Sequence, residues 1–320
     1  MSPAHCPACG APAVPWRAAR AGEPGMPPVA MERCVACGTA ITVSAPHTGP
    51  KASAAPEVPD LHETGAYAPT LPIGARLVAP IQRAYDAQRL RLVRSVVAPG
   101  ATLVDAGAGR GRFVAHARDA GYHATGIEPS ARGVDHARDR YGVRLMRAGI
   151  EDAPVASGSV DVVTLWHVLE HVEDPAATLR VLRSWLRPGG VLLIGVPNLS
   201  SWQARLGGDR WWHLDLPRHH THFTARGLRA LLRREDFDIV REHHVLLEHN
   251  PFGLWLSLVS RVTPTTSWLY HALKRNARTR PADLVPTLAA LPLLPAAAAV
   301  ELAAGLAHRG GTVAVLARRR

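Results

Sequence analysis

The sequence predicts an α/β protein whose main part is a doubly wound, mostly parallel sheet, with a small cysteine-rich ribbon before it and a helical insert before the last strand. Three observations lead to this prediction. Strand-like and helix-like segments alternate from about residue 79 to residue 198, which is the pattern of a parallel sheet covered by helices. Four cysteines near the N-terminus form two Cys-x-x-Cys-Gly pairs. Residues 249–310 separate the last two predicted strands, which is far beyond an ordinary connection.

The cysteine pairs predict a structural zinc site formed by Cys6, Cys9, Cys34 and Cys37. A two-residue gap lets both thiolates of a pair face one metal, and the glycine that follows permits a tight turn. Two disulfides or two redox pairs are the alternatives. Structural disulfides are rare in cytosolic chains, and a redox motif would not be duplicated in so small a module. Four thiolates close the coordination sphere, so we expect no chemistry there.

The predicted ribbon is followed by "SAPHTGPKASAAPEVPDLHETG", a stretch of proline, alanine and small polar residues without periodicity. Such a composition indicates a linker, so we expect the ribbon to be tethered, with no fixed position on the rest of the chain. The predicted division of the chain is a zinc ribbon at 1–44, a linker at 45–75, a core at 76–248, an apolar helical insert at 249–310 and the last strand of the core at 311–320.

Within the core, the apolar spacing and the punctuation by glycine and proline define the elements. Ser130 and Asp174 are expected to cap helices, and Pro175 suits a first helical turn. The run "EHHVLLEH" is expected to be the sixth strand and its exit, and "GGTVAVLARR" the last strand. The predicted helices cover 81–97, 112–121, 131–142 and 174–190, and the earlier strands cover 101–107, 123–130, 143–149, 190–198 and a segment that begins at 160.

The formal net charge of +11 would favour acidic partners such as nucleic acid or an anionic membrane surface. A GC-rich genome explains the arginine, alanine and proline content equally simply, and the chain has no basic run beyond the terminal "RRR".

The N-terminal residues lack the apolar core of a signal peptide. Residues 284–307 are apolar but contain three prolines and Glu301, so a buried or interfacial helical segment is expected rather than a membrane span. We therefore expect a cytoplasmic protein.

The stretch "LVDAGAGRGRF" predicts a strand, a glycine turn and a helix, the geometry that brings main-chain N–H groups close to a ligand. The turn contains Gly107, Gly109 and Gly111. A dinucleotide site would need a glycine at the position of Arg112, so that fingerprint fails. Asp105 precedes the glycines and would repel a pyrophosphate, whereas it suits a nucleotide-like ligand with a positive amine.

Glu128 ends the next predicted strand, where an acidic side chain can accept hydrogen bonds from both hydroxyls of a ribose. An ordinary carboxylate at a helix start is the alternative. Its spacing from the glycine turn favours the ribose role.

Residues 79–245 resemble the class I S-adenosylmethionine-dependent methyltransferases, which have a seven-stranded Rossmann-like sheet. The motifs are "VDAGAGRGRF", "GIEPS", "VDVVTLWHVLEHVEDP" and "LRPGGVLLIGVPN", in the family's order, and the group typified by ubiquinone-biosynthesis O-methyltransferases is the most similar. The resemblance implies S-adenosyl-L-methionine as cofactor, its methionine part near Asp105 and Gly107 and its ribose on Glu128. The family's usual acid at the adenine is replaced by Gly149, which leaves that contact to the region of Ile150, Glu151 and Asp152.

Two clusters of histidines are candidates for the proton transfer that methylation of a hydroxyl or amine requires. The first is His167, Glu170 and His171 in "LWHVLEH"; the second is His219, His220 and His222 in "LPRHHTHFT". His219 matches a histidine of the family before the helix that leads to the sixth strand. Quinone-type relatives bind a divalent metal through a Glu-x-x-Glu-His run, but here His167 replaces the first acid. We therefore do not expect a divalent metal at the active site. A structural role for Glu170 and His171 is the alternative.

The predicted function is S-adenosylmethionine-dependent methylation, most simply O-methylation, of a small or lipid-linked acceptor. An rRNA or tRNA methyltransferase that docks RNA through the ribbon is the alternative enzyme, and a cofactor-binding scaffold is the alternative outside enzymes. The insert, with Trp255, Trp268 and Tyr270, would serve as a cap, as a peripheral membrane contact or as a dimer surface. Nucleic acid is the less favoured partner, and a homodimer is left open.

Overall fold

The computed structural model describes residues 5–19, 28–43, 75–248, 250–273 and 278–320, with side chains of the first long helix from residue 79 onward. The predicted linker lies outside the described residues, apart from the backbone of Ala75. Parts of the predicted ribbon and insert also lie outside them, namely residues 1–4, 20–27, 44, 249 and 274–277.

The N-terminal module is a small antiparallel sheet. Its strands are β1 (Ala13–Ala19), β2 (Val29–Cys34) and β3 (Ala40–Thr42). β2 lies between the other two. The cysteine pairs occupy the turns before β1 and between β2 and β3. Each Cys-x-x-Cys-Gly turn ends in a glycine with positive φ, Gly10 at 77° and Gly38 at 76°, a backbone conformation that glycine adopts easily.

The core is built on a six-stranded sheet, as the alternation of segments predicted. The strands that follow β3 along the chain are β4 (Thr102–Ala106), β5 (His123–Ile127), β6 (Val160–Trp166), β7 (Leu186–Pro197), β8 (Thr221–His222), β9 (Phe237–His243) and β10 (Thr312–Arg319). All except β8 form the central sheet, in the order β5-β4-β6-β7-β10-β9. The first four are parallel, and β10 is antiparallel to β7 and β9. The α/β Rossmann-like fold class is confirmed.

The helices between these strands include the four that the sequence indicated, three of which begin within one residue of the predicted position, whereas the first begins six residues before the predicted residue 81. They are α1 (Ala75–Arg94), α2 (Arg112–Asp119), α3 (Ala131–Tyr141), α4 (Pro175–Trp185), α5 (Trp202–Gly207) and α6 (Ala225–Arg234). Ser130 caps α3 by accepting a hydrogen bond from the Gly133 N–H, and the Asp174 carboxylate caps α4 by accepting from two N–H groups of its first turn. Both predicted caps are confirmed.

Two strand predictions are wrong. Residues 143–149 do not form a strand; they join the sheet through a single parallel bridge between Met146 and Ile127, so the described residues contain six strands of this sheet and not seven. The sixth strand is β9, earlier than the predicted 242–249. β9 lies at the edge of the sheet, where six of its seven residues are partly or fully exposed and the apolar pattern is weak.

The ribbon is packed on the core, which corrects the expectation of a tethered module without a fixed position. β3 pairs with β8 of the core, so ribbon and core share a four-stranded sheet. The Thr224 hydroxyl donates a hydrogen bond of 2.8 Å to the Cys37 carbonyl. Cys6 and Cys37 share an apolar cluster with Phe223 of the core, which is fully buried. The linker composition carried no information about this docking, because the surface that receives the ribbon comes from residues 199–234.

The insert is helical and apolar, as predicted. It contains α7 (Asn250–Val259), α8 (Trp268–Leu273), α9 (Pro281–Ala290) and α10 (Leu294–Leu306). Among the described residues, the stretch Pro281–Leu306 alone is long and apolar enough to cross a membrane, and 22% of its most apolar window is buried. Its two acids, Asp283 and Glu301, point inward and accept hydrogen bonds from Thr265 and from the Gly311 N–H.

Candidate active site

The glycine turn after β4 lies at the carboxyl edge of the sheet and is shaped by contacts that only glycine allows. Gly107, Gly109 and Gly111 all have positive φ, at 75°, 53° and 74°. A Cβ on Gly107 would lie 2.4 Å from a methyl carbon of Val168, which follows the neighbouring strand β6. A Cβ on Gly111 would lie 2.6 Å from the Cβ of Ala137 in α3. The turn is therefore fixed between the end of β6 and α3.

Asp105, at the end of β4, is buried and forms an ion pair with Arg89 of α1. It also accepts a hydrogen bond of 2.7 Å from the Thr164 hydroxyl. Burial raises the pKa of Asp105, and the charge of Arg89 opposes this shift. The Arg89 guanidinium lies 3.8 Å from the centre of the Phe113 ring, and its Nε is buried without a hydrogen-bond partner among the described residues. A cation not anticipated from the sequence thus lies beside the predicted cofactor residues.

Glu128 fixes the other side of the turn. It is 2% exposed, and its carboxylate accepts hydrogen bonds from the N–H groups of Gly109 (2.8 Å) and Ser130 (3.0 Å). The predicted ribose-binding residue is therefore in direct contact with the glycine turn. The two residues expected near the adenine differ in setting: Ile150 is buried, whereas Glu151 is exposed and accepts a hydrogen bond from Thr178 of α4.

The four predicted catalytic residues line one cavity of about 420 Å³. Three regions that are distant in sequence contribute to it: the end of β6, the segment before β8, and the insert. Its walls are Trp166, His167, Glu170, His171, Trp212, His213, Asp215, His219, Glu248 and Tyr270. His219 of the second cluster therefore joins the first cluster in a single site, whereas His220 and His222 are not among its wall residues. A volume of this size suits a small molecule or the reactive end of a larger one.

His167 and Glu170 form a hydrogen-bonded pair. The His167 Nδ1 lies 3.1 Å from Glu170 Oε1, and its Nε2 is buried with no partner among the described residues. His167 has φ of 54°, a left-handed conformation that is uncommon for histidine and places its ring against that of His213. Burial lowers the pKa of His167, but the hydrogen bond and charge of Glu170, with the charge of Glu248, outweigh this, so the pKa is raised.

The Glu170 carboxylate is buried and ionised at neutral pH. Burial alone would raise its pKa, but the hydrogen bond from His167 and the charges of the histidines outweigh burial and lower the pKa to about 2. Its second oxygen, Oε2, is buried and accepts no hydrogen bond from the described residues. A buried carboxylate oxygen of this kind is available to a cation or to a donor on a bound molecule.

His219 and His171 pack edge to face, with ring centres 4.5 Å apart. The Nδ1 of His219 lies 2.9 Å from the His213 carbonyl oxygen, and that of His171 lies 3.3 Å from the Arg218 carbonyl oxygen. A carbonyl can only accept, so each Nδ1 carries the proton and each Nε2 is an acceptor. Burial and the neighbouring His171 lower the pKa of His219 to about 4, so it is neutral at pH 7.

Two groups of side chains fit a metal ion. The four cysteine sulfurs all lie within 4.8 Å of one another, with Cys6–Cys37 and Cys9–Cys34 separations of 3.6 and 3.4 Å; sulfurs of a tetrahedral zinc site are separated by roughly 3.8 Å. Hydrogen bonding from Cys6 lowers the pKa of the Cys37 thiol to about 4, which favours the thiolate. The second group, Glu170, His171 and His219, also lies within 4.8 Å. Here His219 takes the place of the acid that is missing at position 167.

Sequence reasoning missed two functional candidates: Arg89 and Glu248. Asp215 forms an ion pair with Arg218 and lies 3.8 Å from the Nε2 of His219. Tyr270 comes from the insert, which therefore contributes to the wall of the cavity. No local pattern shows which residues of the insert reach the end of β6.

Comparison with known proteins agrees with this geometry. A family model described as a methyltransferase domain matches residues 79–242. A malonyl-[acyl-carrier protein] O-methyltransferase of Serratia marcescens is 32% identical over 39% of this chain, and a ubiquinone biosynthesis O-methyltransferase of Sodalis glossinidius is 28% identical over 48%. These matches span 49% and 65% of the relatives' own lengths. Among solved structures, the chain is similar to an S-adenosylmethionine-dependent methyltransferase from Thermotoga maritima, with 16% identity, coverage of 77% of this chain and 94% of that one, and a TM-score of 0.47.

The family model covers 164 of the 320 residues, counted from 79 to 242, and it contains the whole glycine turn, Glu128, both histidine clusters and the parallel half of the sheet. The chain belongs to the methyltransferase-domain family.

Proposed function

We propose that the protein is an S-adenosylmethionine-dependent methyltransferase that methylates a hydroxyl group of a small or lipid-linked acceptor. The observation that carries this proposal is the placement of the glycine turn and Glu128 beside a cavity that holds the His167–Glu170 pair, at the ends of the adjacent strands β4, β5 and β6. Ligands of doubly wound sheets bind at this edge. Bound S-adenosylmethionine supplies a methyl group on a positively charged sulfur.

The residues at the glycine turn fit that cofactor. Three residues of the turn, Gly107, Gly109 and Gly111, carry no Cβ atom, and the buried Nε of Arg89 has no partner among the described residues. Glu128 would hold the ribose hydroxyls. Asp105 and Gly107 would contact the methionine part, with Arg89 beside them to meet its carboxylate.

His167 is the better of the two candidate bases. Its Nδ1 faces the ionised Glu170, so the carboxylate holds that proton and leaves Nε2 to accept a proton from the acceptor. A base works best when its pKa lies near the working pH; the pKa of His167 is raised, whereas that of His219 is lowered to about 4. His219 and Asp215 would orient the acceptor, and Trp212 and Tyr270 would exclude water.

A divalent cation at Glu170, His171 and His219 is a second candidate for the activation of the acceptor. The partnerless Oε2 of Glu170 and two imidazoles held by carbonyl oxygens are a donor set suited to such an ion. A bound cation would supply positive charge that lowers the pKa of the acceptor hydroxyl.

The insert supports a proposal of peripheral membrane contact by a cytoplasmic protein. The exposed face of Pro281–Leu306 carries no charge, because Asp283 and Glu301 are buried. Arg278 and Arg280 precede it and are exposed, which suits anionic lipid headgroups. The exposed apolar side chains of this face are Val285, Leu288, Leu291, Leu293, Val300, Leu302 and Leu306. A homodimer is the alternative use of the same face.

The rivals are an RNA methyltransferase that docks RNA through the ribbon and a scaffold that binds cofactor without turnover. Incubation with S-adenosylmethionine labelled in its methyl group separates all three. We expect label to enter hydroxylated aromatic or lipid-linked acceptors in a cell extract. Label in RNA alone would favour the first rival, and cofactor binding without any turnover would favour the second.

The first prediction concerns the cofactor site. Glu128→Ala removes the hydrogen-bond acceptor for the ribose and should weaken binding of S-adenosylhomocysteine by about 1–3 kcal/mol, measured by calorimetric titration. Asp105→Asn should also weaken it, because the positive amine of the ligand loses a nearby negative charge. Glu173→Ala, at an exposed carboxylate, is the matched control and should bind as the wild type does. Unchanged affinity in both site variants would refute the site.

The second prediction concerns the base. His167→Ala should lower turnover by about 10²–10⁴ with little effect on cofactor affinity. In the wild type the rate should rise with pH as His167 loses its proton. Glu170→Gln removes the charge that raises the pKa of His167, so the rise of the rate with pH, the acid limb of the pH–rate profile, should move to lower pH.

His219→Ala and added metal provide the controls for this assignment. His219 is already neutral above about pH 4, so its loss should leave the acid limb in place. If His167→Ala keeps wild-type turnover, His167 is not the base. If adding Mg²⁺ or Mn²⁺ to the chelated protein raises its rate more than about tenfold, the cluster with Glu170 acts through a metal.

The third prediction concerns the ribbon. We expect one zinc per chain by metal analysis, held by Cys6, Cys9, Cys34 and Cys37. Because the ribbon shares a sheet and an apolar cluster with the core, Cys34→Ser should lower the unfolding temperature of the whole protein. A zinc content near zero in protein prepared with excess zinc would contradict the proposed site. An unchanged unfolding temperature in Cys34→Ser would show that the ribbon does not stabilise the core.

The fourth prediction concerns the apolar face. Sedimentation with vesicles that contain phosphatidylglycerol should carry the wild type down, and Leu288→Glu with Leu302→Glu should reduce binding about tenfold or more, since each side chain contributes about 1.5–3 kcal/mol when buried. Val35→Glu, at an exposed ribbon position, is the control. If the double variant instead converts a dimer to a monomer, the face belongs to a second copy.

A further inference from the structure

A second large cavity lies between the ribbon and the core, on the side of the segment 199–208. It has a volume of about 540 Å³, and none of its wall residues belongs to the histidine cavity. The ribbon contributes residues of β1 and β2, and the core contributes α5, the chain before it and Arg309. The wall is formed by Trp16, Arg17, Arg33, Leu199, Ser200, Ser201, Trp202, Ala204, Arg205, Gly208 and Arg309.

Four arginines line this cavity, and its wall contains no carboxylate. Arg17 and Arg33 both lie over the Trp16 ring, at 4.0 and 5.0 Å from its centre. Burial lowers the pKa of Arg17; the charge of Asp209, outside the wall, opposes this shift, and the charge of Arg33 adds to it. Like charges brought together by folding destabilise a protein unless a bound anion neutralises them.

The guanidinium groups are only partly satisfied by the protein. Arg17 donates to the Gly208 carbonyl at 3.3 Å, while its Nε is buried without a partner among the described residues. Arg309 makes one long contact of 3.4 Å to the Ser200 carbonyl. No hydrogen bond or ion pair joins the Arg205 side chain to the rest of the described chain. Donors without partners around a cavity are the arrangement that binds phosphate oxygens.

We propose that this cavity binds a small molecule that carries a diphosphate group. Four guanidiniums match the charge of a diphosphate, and the volume is that of a small-molecule site. Trp16 and the half-exposed Trp202 give a flat or apolar group attached to the diphosphate a surface to lie on. Both halves of the site are needed, because Arg17 and Arg33 come from the ribbon and Arg205 and Arg309 from the core. The ribbon thus acquires a role in binding that does not depend on the proposed methyl transfer.

Calorimetric titration of the full chain with three probes tests the proposal: inorganic pyrophosphate, uridine diphosphate and geranyl diphosphate, each against sulfate at equal ionic strength. We expect at least one diphosphate to bind at least tenfold more tightly than sulfate. Binding of all three indicates recognition of the diphosphate itself. A clear preference for uridine or geranyl diphosphate identifies a nucleotide-linked or a lipid-linked source.

Arg205→Gln and Arg309→Gln should each weaken binding of the preferred probe by about tenfold, the loss of one charge-assisted contact. Arg205 is the sharper test, since its side chain makes no contact that the fold needs. Arg226→Gln removes the same charge from an exposed position of α6 and should bind within twofold of the wild type. Diphosphates that bind no better than sulfate, or variants that bind as well as the wild type, would overturn the proposal. Binding of single-stranded RNA in preference to every diphosphate would also overturn it.

Discussion

The buried carboxylate of Glu170 organises the candidate site. An ionised group with almost no exposure is stable only where cations and donors surround it, and here the hydrogen bond and charge of His167 are the chief effects that oppose burial. The main chain of the same residue has a second function, because the Glu170 carbonyl accepts a hydrogen bond of 2.8 Å from the His220 N–H. Glu170 thus joins the end of β6 to the segment that carries His219 and β8.

The segment around β8 in turn connects the site to the ribbon. The Thr42 hydroxyl of β3 donates to the His219 carbonyl at 2.6 Å and lies 3.0 Å from the Nε2 of His222. Burial lowers the pKa of His222 to about 3, so it is a neutral structural residue in this contact. The ribbon therefore supports the backbone of a cavity residue although its cysteines lie outside that cavity. A module with a closed metal site can influence the site in this way without any chemistry of its own.

The features that could be predicted from the sequence are those whose signal is local. The glycines of the turn, the caps Ser130 and Asp174 and the cysteine pairs each depend on residues within a few positions, and the alternation of segments identified the parallel sheet. The docking of the ribbon, the contribution of Tyr270 and the ion pair of Arg89 depend on contacts between distant segments, which have no local pattern. The edge strand β9 was misplaced for a related reason, since its partly exposed residues carry little of the apolar periodicity by which strands are recognised.

His167 and His219 illustrate the same limit in terms of charge. Each follows the end of a strand, and the sequence offers no reason to assign them different roles. Their environments differ in how closely a carboxylate approaches: His167 is hydrogen-bonded to Glu170 at 3.1 Å, whereas His219 packs edge to face on His171 and lies 3.8 Å from Asp215. Full burial acts on both, so the difference in pKa arises from these neighbours. A base and an orienting group can therefore be made from the same residue type, and the distinction depends on which segment the fold brings to each ring.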